Sequence, residues 1–309
     1  MPILPPLCVR PWAHRPLLNS KKAPFMRPQD FRCHQRLTVR WAEVDAQKIV
    51  FNAHYLMYAD VAVTEYWKQM AMPYAQSWGA LGGELFVKKA TTTYHASAQM
   101  GDVLDVGIRC VKQGNTSLQF EAGIFRGQQL LNTVELVYVF ANADQQPQPV
   151  PQQLRDMLTA FEAGEDMVEL RSGNWNDLGR LAERLRMDVF VKEQGVPREI
   201  EIDEFDPICR HVVAVNRLGH TVATGRLVSD APGVARIGRM AVAREMRGGK
   251  LGRQVLDALV QAARERGDRE AVLHAQVHAQ NFYARAGFAP EGEVYDEAGI
   301  DHITMRMVL

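Results

Sequence analysis

The chain has little cysteine and spaces it poorly for bonding. Its four thiols, Cys8, Cys33, Cys110 and Cys209, form no Cys-x-x-Cys pair and no ligand spacing. That argues against a disulfide scaffold or a zinc site, and suits reduced thiols in a cytosol. Net charge is missing too: 36 basic residues balance 36 acidic ones. No global field therefore draws the chain to nucleic acid or to an anionic membrane, and no apolar run approaches the length that crosses a bilayer. The first 28 residues lack acids altogether and carry seven prolines and five basic residues. A targeting peptide needs an amphipathic helix or a long apolar stretch; the prolines oppose the first and the second is absent. A disordered tail over 1–28 is the expectation, with Met26 as an alternative translation start.

What is present fits two domains. A length of 309 residues is long for one compact unit and gives each half enough chain for its own core. Residues 31–41 alternate as a strand. Residues 53–72 repeat apolar side chains near 3.6, at Tyr55, Ala59, Ala62, Val63, Tyr66, Trp67 and Met70, as a helix does. Strand-like runs follow at 84–98, 102–112, 116–126 and 129–141, with Gly114-Asn115 and Gly127-Gln128 as hairpin turns. A long helix followed by an antiparallel meander is an α+β arrangement, the helix lying across the sheet. Residues 142–153 are polar and proline-rich, a linker leading into a short helix at 152–163. The second half alternates. Strands are expected at 167–171, 210–217, 221–229, 234–242, 270–276 and 301–308, and helices at 175–191, 249–265 and 278–286. That pattern gives a mixed sheet with helices on its faces. The acidic run 199–206 reads as a solvated loop, with attraction of a cationic acceptor as the functional alternative.

Thioester hydrolysis needs a nucleophile or base near the carbonyl carbon and donors for the oxyanion. Unpaired N–H groups at a helix start supply such donors. Asp45 lies seven residues before Asn52, where the long helix is expected to begin. Residues 31–141 resemble a hotdog-fold thioesterase of the 4-hydroxybenzoyl-CoA/YbgC type, whose D-x-x-G-x-V motif falls on Asp45 to Val50. The resemblance implies Asp45 as nucleophile or as base for water, and the Asn52 N–H as oxyanion donor. It also implies His54 and Tyr55 beside the acyl pocket, and a site formed between subunits of a homodimer or homotetramer. Lys48 stands where that family has glycine, a cation available to the phosphates of coenzyme A or to an acidic acyl group. A dehydratase would need a His/acid pair, and Glu65 lies too far along the helix from His54.

Acyl transfer from acyl-CoA to an amine requires that pyrophosphate be held, the amine deprotonated and the leaving thiolate protonated. A glycine-bearing loop opening a helix presents successive N–H groups to phosphate. Arg247-Gly248-Gly249-Lys250-Leu251-Gly252 stands in that context, between a strand ending at Val242 and an amphipathic helix. Residues 167–309 resemble a GNAT-family N-acyltransferase. The loop resembles the R-x-x-G-x-G/A pattern, and Phe282-Tyr283 with Gly287-Phe288 resembles the family's FYxxxGF segment. Phe190 to Gln194 and the lead-in His274 to His278 are similar to the ElaA-like branch. The resemblance implies a mixed α/β GNAT fold, acyl-CoA contacts from Met240, Val242 and residues 247–252, and Tyr283 as general acid for the thiolate. Lys250 replaces the first glycine of the pattern, Gln276 replaces an asparagine, and the 234–242 strand carries no acid. Glu193, Glu204 and His211 are the candidate amine bases, with a water relay as the alternative. Tyr283 could equally be a core aromatic beside Phe282 and Phe288, and His274 with His278 makes no metal pair across a strand-to-helix transition.

The reading is a cytoplasmic protein with a tail at 1–28, a hotdog domain at 29–145, a linker and helix at 146–165, and a GNAT domain at 166–309. It hydrolyses an acyl-CoA at one site and transfers an acyl group, acetyl in the first instance, to an amine at the other. Coenzyme A enters as substrate, no metal is expected, and neither nucleic acid nor membrane is a partner. The rival is a regulatory protein that binds acyl-CoA without turnover.

Overall fold

The computed structural model describes residues 26–297 and 299–309. Most of the expected tail, with Cys8, lies outside them. Its last residues are ordered: Met26 is buried with Phe31 and Phe125, and Pro28–Asp30 forms a short 3-10 turn. The apolar Met26 side chain finds a pocket against the sheet, which corrects the tail's expected end at 28.

The first sheet has five strands: β1 (Cys33–Thr38), β2 (Glu84–Tyr94), β3 (Val103–Gln113), β4 (Ser117–Arg126) and β5 (Gln129–Ala141), in the order β1-β3-β4-β5-β2. Every pairing is antiparallel. Helix α1 (His54–Gln69) lies across this sheet, and all seven residues of the apolar stripe are buried. Their spacing forces one face inward, against Leu104, Val106, Ile108 and Phe120. Strand β1 stops at Thr38 rather than 41, because Trp41–Glu43 turns as a 3-10 segment.

Helix α2 (Tyr74–Leu81) was not expected from the sequence; it follows Pro73 and ends at Gly82 with φ +74°. Residues 142–153 are no free linker. Gln148 N–H donates to Phe140 O and Val150 N–H to Asn115 O, at 2.9 and 2.8 Å. These bonds hold the segment on the sheet. Helix α3 (Gln152–Glu162) then buries Leu154, Met157, Leu158 and Phe161 in the same core as α1.

The second sheet has seven strands: β6 (Val168–Gly173), β7 (Arg210–Asn216), β8 (Thr221–Ala231), β9 (Val234–Val242), β10 (Glu270–Gln276), β11 (Ala289–Glu297) and β12 (Ile300–Val308), in the order β11-β12-β10-β9-β8-β7-β6. Only β9 and β10 pair in parallel. Helix α4 (Trp175–Arg186) is capped by the Asn174 side chain, which accepts from Asp177 N–H, and continues as a π-helical turn over Met187–Glu193. Beyond it come α5 (Arg198–Glu201), α6 (Leu251–Arg266) and α7 (Gln280–Ala284). Helix α7 is shorter than the expected 278–286, since Val277–Ala279 is a 3-10 turn and Gly287 sits at φ +102°. Among the described residues no helix is long and apolar enough to cross a membrane.

The two cores are docked. Asn216 Nδ2, buried at the end of β7, donates to Ala71 O just beyond α1 at 2.7 Å. Arg217 reaches Glu165 Oε2 at 2.7 Å and Asp166 O at 3.0 Å, and the Tyr74 N–H opening α2 donates to the Glu245 carboxylate.

Two candidate active sites

Asp45 heads a tight turn. Its N–H donates to Ile49 O at 2.9 Å, its carbonyl accepts from Lys48 N–H at 2.9 Å, and its Oδ1 accepts from Gln47 N–H at 2.8 Å. A Val44–Val50 bridge closes the base of the turn. The bond from Gln47 fixes the direction of the carboxylate, as in an Asx-turn. Lys48 has φ +64°, left-handed backbone that a glycine adopts freely and that costs a lysine about 1 kcal/mol. Its side chain is exposed.

The expected helix start at Asn52 is two residues early. His54 N–H already bonds Phe51 O at 2.9 Å, so Asn52 and Ala53 form a turn ahead of the first helical residue. Asn52 is exposed, its carbonyl accepts from Tyr94 Oη at 3.0 Å, and among the described residues its N–H has no acceptor. His54 is half-buried between the rings of Phe51 and Tyr58. Tyr55 turns inward instead: it is buried, and its hydroxyl accepts from Ala98 N–H at 3.0 Å.

Sequence reasoning missed Glu43, which braces this turn. It is 3 % exposed, and its carboxylate accepts from Arg40 N–H at 2.8 Å, Arg40 Nε at 2.8 Å and Tyr58 Oη at 2.9 Å. Its carbonyl takes Phe51 N–H at 2.9 Å, tying the turn to the entry of α1. Burial alone would raise its pKa, but the Arg40 and Tyr58 donors hold it below the ordinary glutamate value. The i,i+3 spacing of Arg40 and Glu43 was the available signal.

In the second domain β9 and β10 pair only from Val234–Ile237 against Glu270–Leu273. Beyond that point β9 stays with β8 and β10 with β12, so the two strands part. Arg239, at φ +49°, marks the irregularity in β9. Met240 and Val242 are half-buried on the diverging edge. Gly225 makes room for Met240, since a Cβ there would lie 2.5 Å from its Sδ.

From the end of β9 the chain passes through a 3-10 turn, Arg244–Met246, into residues 247–252. Gly248 has φ +79°, Gly248 to Lys250 are exposed, and Lys250 is the N-cap of α6, with Leu251 as its first residue. Gly252 lets α6 start close to its neighbours: a Cβ would lie 3.3 Å from Val242 Cγ2 and 3.6 Å from the Phe282 ring. Arg247 does not face solvent freely. It donates to both Glu193 oxygens, at 2.5 and 2.7 Å, and to Val242 O at 3.1 Å. Tyr283 on α7 packs edge-on to Phe282 and Phe288. Burial pushes its phenol up to about 12, and among the described residues its hydroxyl has no partner. It is both a packed aromatic and a retained proton.

The candidate bases separate. Arg247 binds Glu193 and, first among the causes, lowers its pKa. Glu204 is exposed, without a salt bridge among the described residues. His211 is 1 % exposed, its ring 5.0 Å from that of Trp175 and tilted 51° to it, its Nε2 beside Asp206 O at 2.9 Å. Burial lowers its pKa, which favours the neutral imidazole.

The acidic run is not a solvated loop. Arg186, 1 % exposed, donates to Asp206 Oδ1 at 2.6 Å and also to Glu201. Arg226 donates to Asp203 at 2.6 Å, and Arg239 reaches Glu201 at 2.8 Å and Asp203 at 3.1 Å. Three arginines from α4, β8 and β9 pair Glu201, Asp203 and Asp206 and draw them inward, while Glu199 and Glu204 stay exposed, a pairing sequence spacing could not show. Asp206, Cys209 and His211 place ligand-type atoms within 4.8 Å of one another. The guanidinium groups of Arg186 and Arg226 already occupy Asp206, and burial raises the Cys209 thiol to about 11. That donor set opposes a bound cation.

The family pattern described as a thioesterase-like superfamily matches residues 39–158, and that of an acetyltransferase (GNAT) domain matches residues 186–309. Protein ElaA of Escherichia coli is 37 % identical over 127 residues, 40 % of this chain and 82 % of that protein. The uncharacterized N-acetyltransferase YjcF of Bacillus subtilis is 35 % identical over 123 residues, covering 39 % of this chain and 86 % of its own. Among solved structures, Escherichia coli ElaA has a TM-score of 0.42 at 32 % identity, spanning 46 % of this chain and 99 % of that one. A Thermus thermophilus thioesterase complexed with coenzyme A and zinc has a TM-score of 0.40 at 25 % identity, spanning 44 % and 97 %.

Proposed function

From a chain that belongs to the GNAT acetyltransferases through its C-terminal region and carries a thioesterase-like hotdog domain before it, we propose two acyl-CoA activities on one polypeptide. The first is hydrolysis. The thioester carbonyl oxygen is set against the free Asn52 N–H near the positive end of α1, while Asp45 attacks the carbonyl carbon or takes the proton of the attacking water. Coenzyme A leaves as the thiol. The observation that carries this reading is the turn itself. Lys48 adopts the left-handed backbone that glycine would supply, so Asp45 is presented although the motif residue has changed. Glu43 and Arg40 hold the same turn from beneath.

The second activity is transfer of an acyl group, acetyl in the first instance, to an amine. The parted edges of β9 and β10 offer unpaired backbone to the pantetheine arm, as an added strand would use. Met240, Val242 and the amides of Gly248, Gly249, Lys250, Leu251 and Gly252 line the path to the pyrophosphate. Arg247 braces that loop through Glu193. The amine attacks the thioester carbon, the C–S bond breaks, and Tyr283 gives its proton to the departing thiolate. Its raised pKa keeps that proton in place at neutral pH. Of the three candidate bases, Glu204 alone combines exposure with a carboxylate free of salt bridges among the described residues.

We place the domain boundary after α3, whose apolar face fills the first core. Strand β2 edges the first sheet with Phe86 and Val87 exposed at 40 % and 55 %. A second copy of the chain is the occupant proposed there, giving at least a dimer in the cytosol. Light scattering tests it, and a monomer at micromolar concentration rules it out. The activities are tested by thiol release without amine, which should need Asp45, and thiol release that appears only with an amine, which should need Tyr283. Tight acyl-CoA binding with neither would leave a binding module that senses acyl-CoA.

A further inference from the structure

One cation of the N-terminal domain stands at the loop of the C-terminal domain. A Cβ on Gly248 would lie 3.9 Å from Lys68 Nζ, the sole atom within 4 Å of it beyond its chain neighbours. Lys68 belongs to the last turn of α1, and among the described residues it makes no salt bridge. The approach is held from both sides. Asn216 grips Ala71 O three residues beyond Lys68, and Glu245, three residues before Gly248, takes the N–H of Tyr74. A basic residue at a helix C-terminus has an ordinary role, offsetting the helix dipole. That role accounts for a lysine in this turn but does not direct its ammonium to another domain's loop.

The loop has one exposed cation of its own, Lys250, which makes no salt bridge among the described residues, and the several phosphates of coenzyme A carry charge for a second. The loop's arginine, Arg247, is spent on Glu193 at 2.5 and 2.7 Å. Exposed amides at the start of α6 can orient a phosphate but carry only partial charge. We propose that Lys68 binds a phosphate of acyl-CoA at the 247–252 loop, so that the transferase site is completed by the thioesterase-like domain. The proposal rests on the reading of that loop as the acyl-CoA site. The helix that opens at the Asn52 turn then ends at the phosphates of the other substrate molecule.

The test is amide hydrogen exchange on the full chain, following protection of residues 247–256 during titration with CoA, dephospho-CoA and pantetheine. Restricting the readout to those residues separates this site from the Asp45 site. Lys68→Ala should weaken CoA by about five- to tenfold at low salt, as loss of one charge-assisted contact predicts. Lys68→Glu should weaken it further, and Lys68→Arg should stay near wild type. Pantetheine, which has no phosphate, should not respond. A defect confined to CoA places the ammonium on the 3′-phosphate, and one shared with dephospho-CoA places it on the pyrophosphate. Unchanged CoA affinity in both Lys68→Ala and Lys68→Glu, with the wild-type loop still protected, overturns the Lys68 assignment alone. No protection of the wild-type loop by CoA overturns the reading of the loop itself.

Discussion

Two lysines stand where the matched motifs carry glycine, and the backbone treats them differently. Lys48 occupies left-handed backbone at φ +64°, so the first turn keeps the glycine geometry at a cost in strain. Lys250 sits at φ −88° and ψ −10°, ordinary helical space, and the left-handed residue of the second loop is Gly248 at φ +79°. A motif letter is thus a proxy for a dihedral angle. One substitution leaves the demand in place, and the other falls where no demand exists.

The sharpest way to separate the two loops is to disable each in turn. Asp45→Ala should lower amine-independent thiol release by about 10³-fold or more, the scale of a lost nucleophile or base. Acyl-CoA binding at 247–252 should survive it. Tyr283→Phe should lower amine-dependent release by about 10- to 100-fold and leave hydrolysis alone. Loss of both activities in either variant would mean that the sites are not separable.

The buried arginine network of the second domain makes stability depend on acid. Burial opposes charge on Asp206, but Arg186 and Arg226 prevail and lower its pKa from 3.8 to about 2. The unfolded chain binds the proton more tightly, so the stabilisation is complete above pH 4 and is lost as pH falls towards 2. The contribution is about 2 kcal/mol. Chemical denaturation followed at Trp175, which lies beside Arg186 and His211, should show it. A transition midpoint that does not change between pH 5 and pH 3 would contradict the network.

Smaller effects test the glycine comparison itself. Gly248→Ala should destabilise by about 1 kcal/mol, because the left-handed backbone penalises a side chain. Lys48→Gly should stabilise by about 0.5 kcal/mol, relieving strain against added unfolded-state entropy. Lys250→Gly should change stability by less than that, glycine being tolerated at an N-cap. Equal shifts for the two lysine variants in thermal denaturation would refute the dihedral argument.

The long helix was legible because seven apolar residues at a 3.6 period must share a buried face, and they do. The hairpins at Gly114 and Gly127 were legible from turn chemistry. Strand β11 was not, because Pro290, Gly292 and four acids mask an exposed edge whose register shifts at Glu291. Helix α2, uncharged and holding Gly79, had no strong period to read. Among the candidate site residues, Asp45, Gly248 and Tyr283 were nominated by local motifs alone. Glu43 was visible only as a charge next to Arg40. Lys68 could not be seen at all, since its place at the loop depends on how one domain meets the other.

The most direct measurement is free thiol release from short, long and aromatic acyl-CoAs, with and without an amine, for wild type, Asp45→Ala and Tyr283→Phe. Two separable sites predict release without amine that vanishes only in Asp45→Ala, and an amine-stimulated increment that falls only in Tyr283→Phe. Amine-free release that persists undiminished in Asp45→Ala would contradict the account.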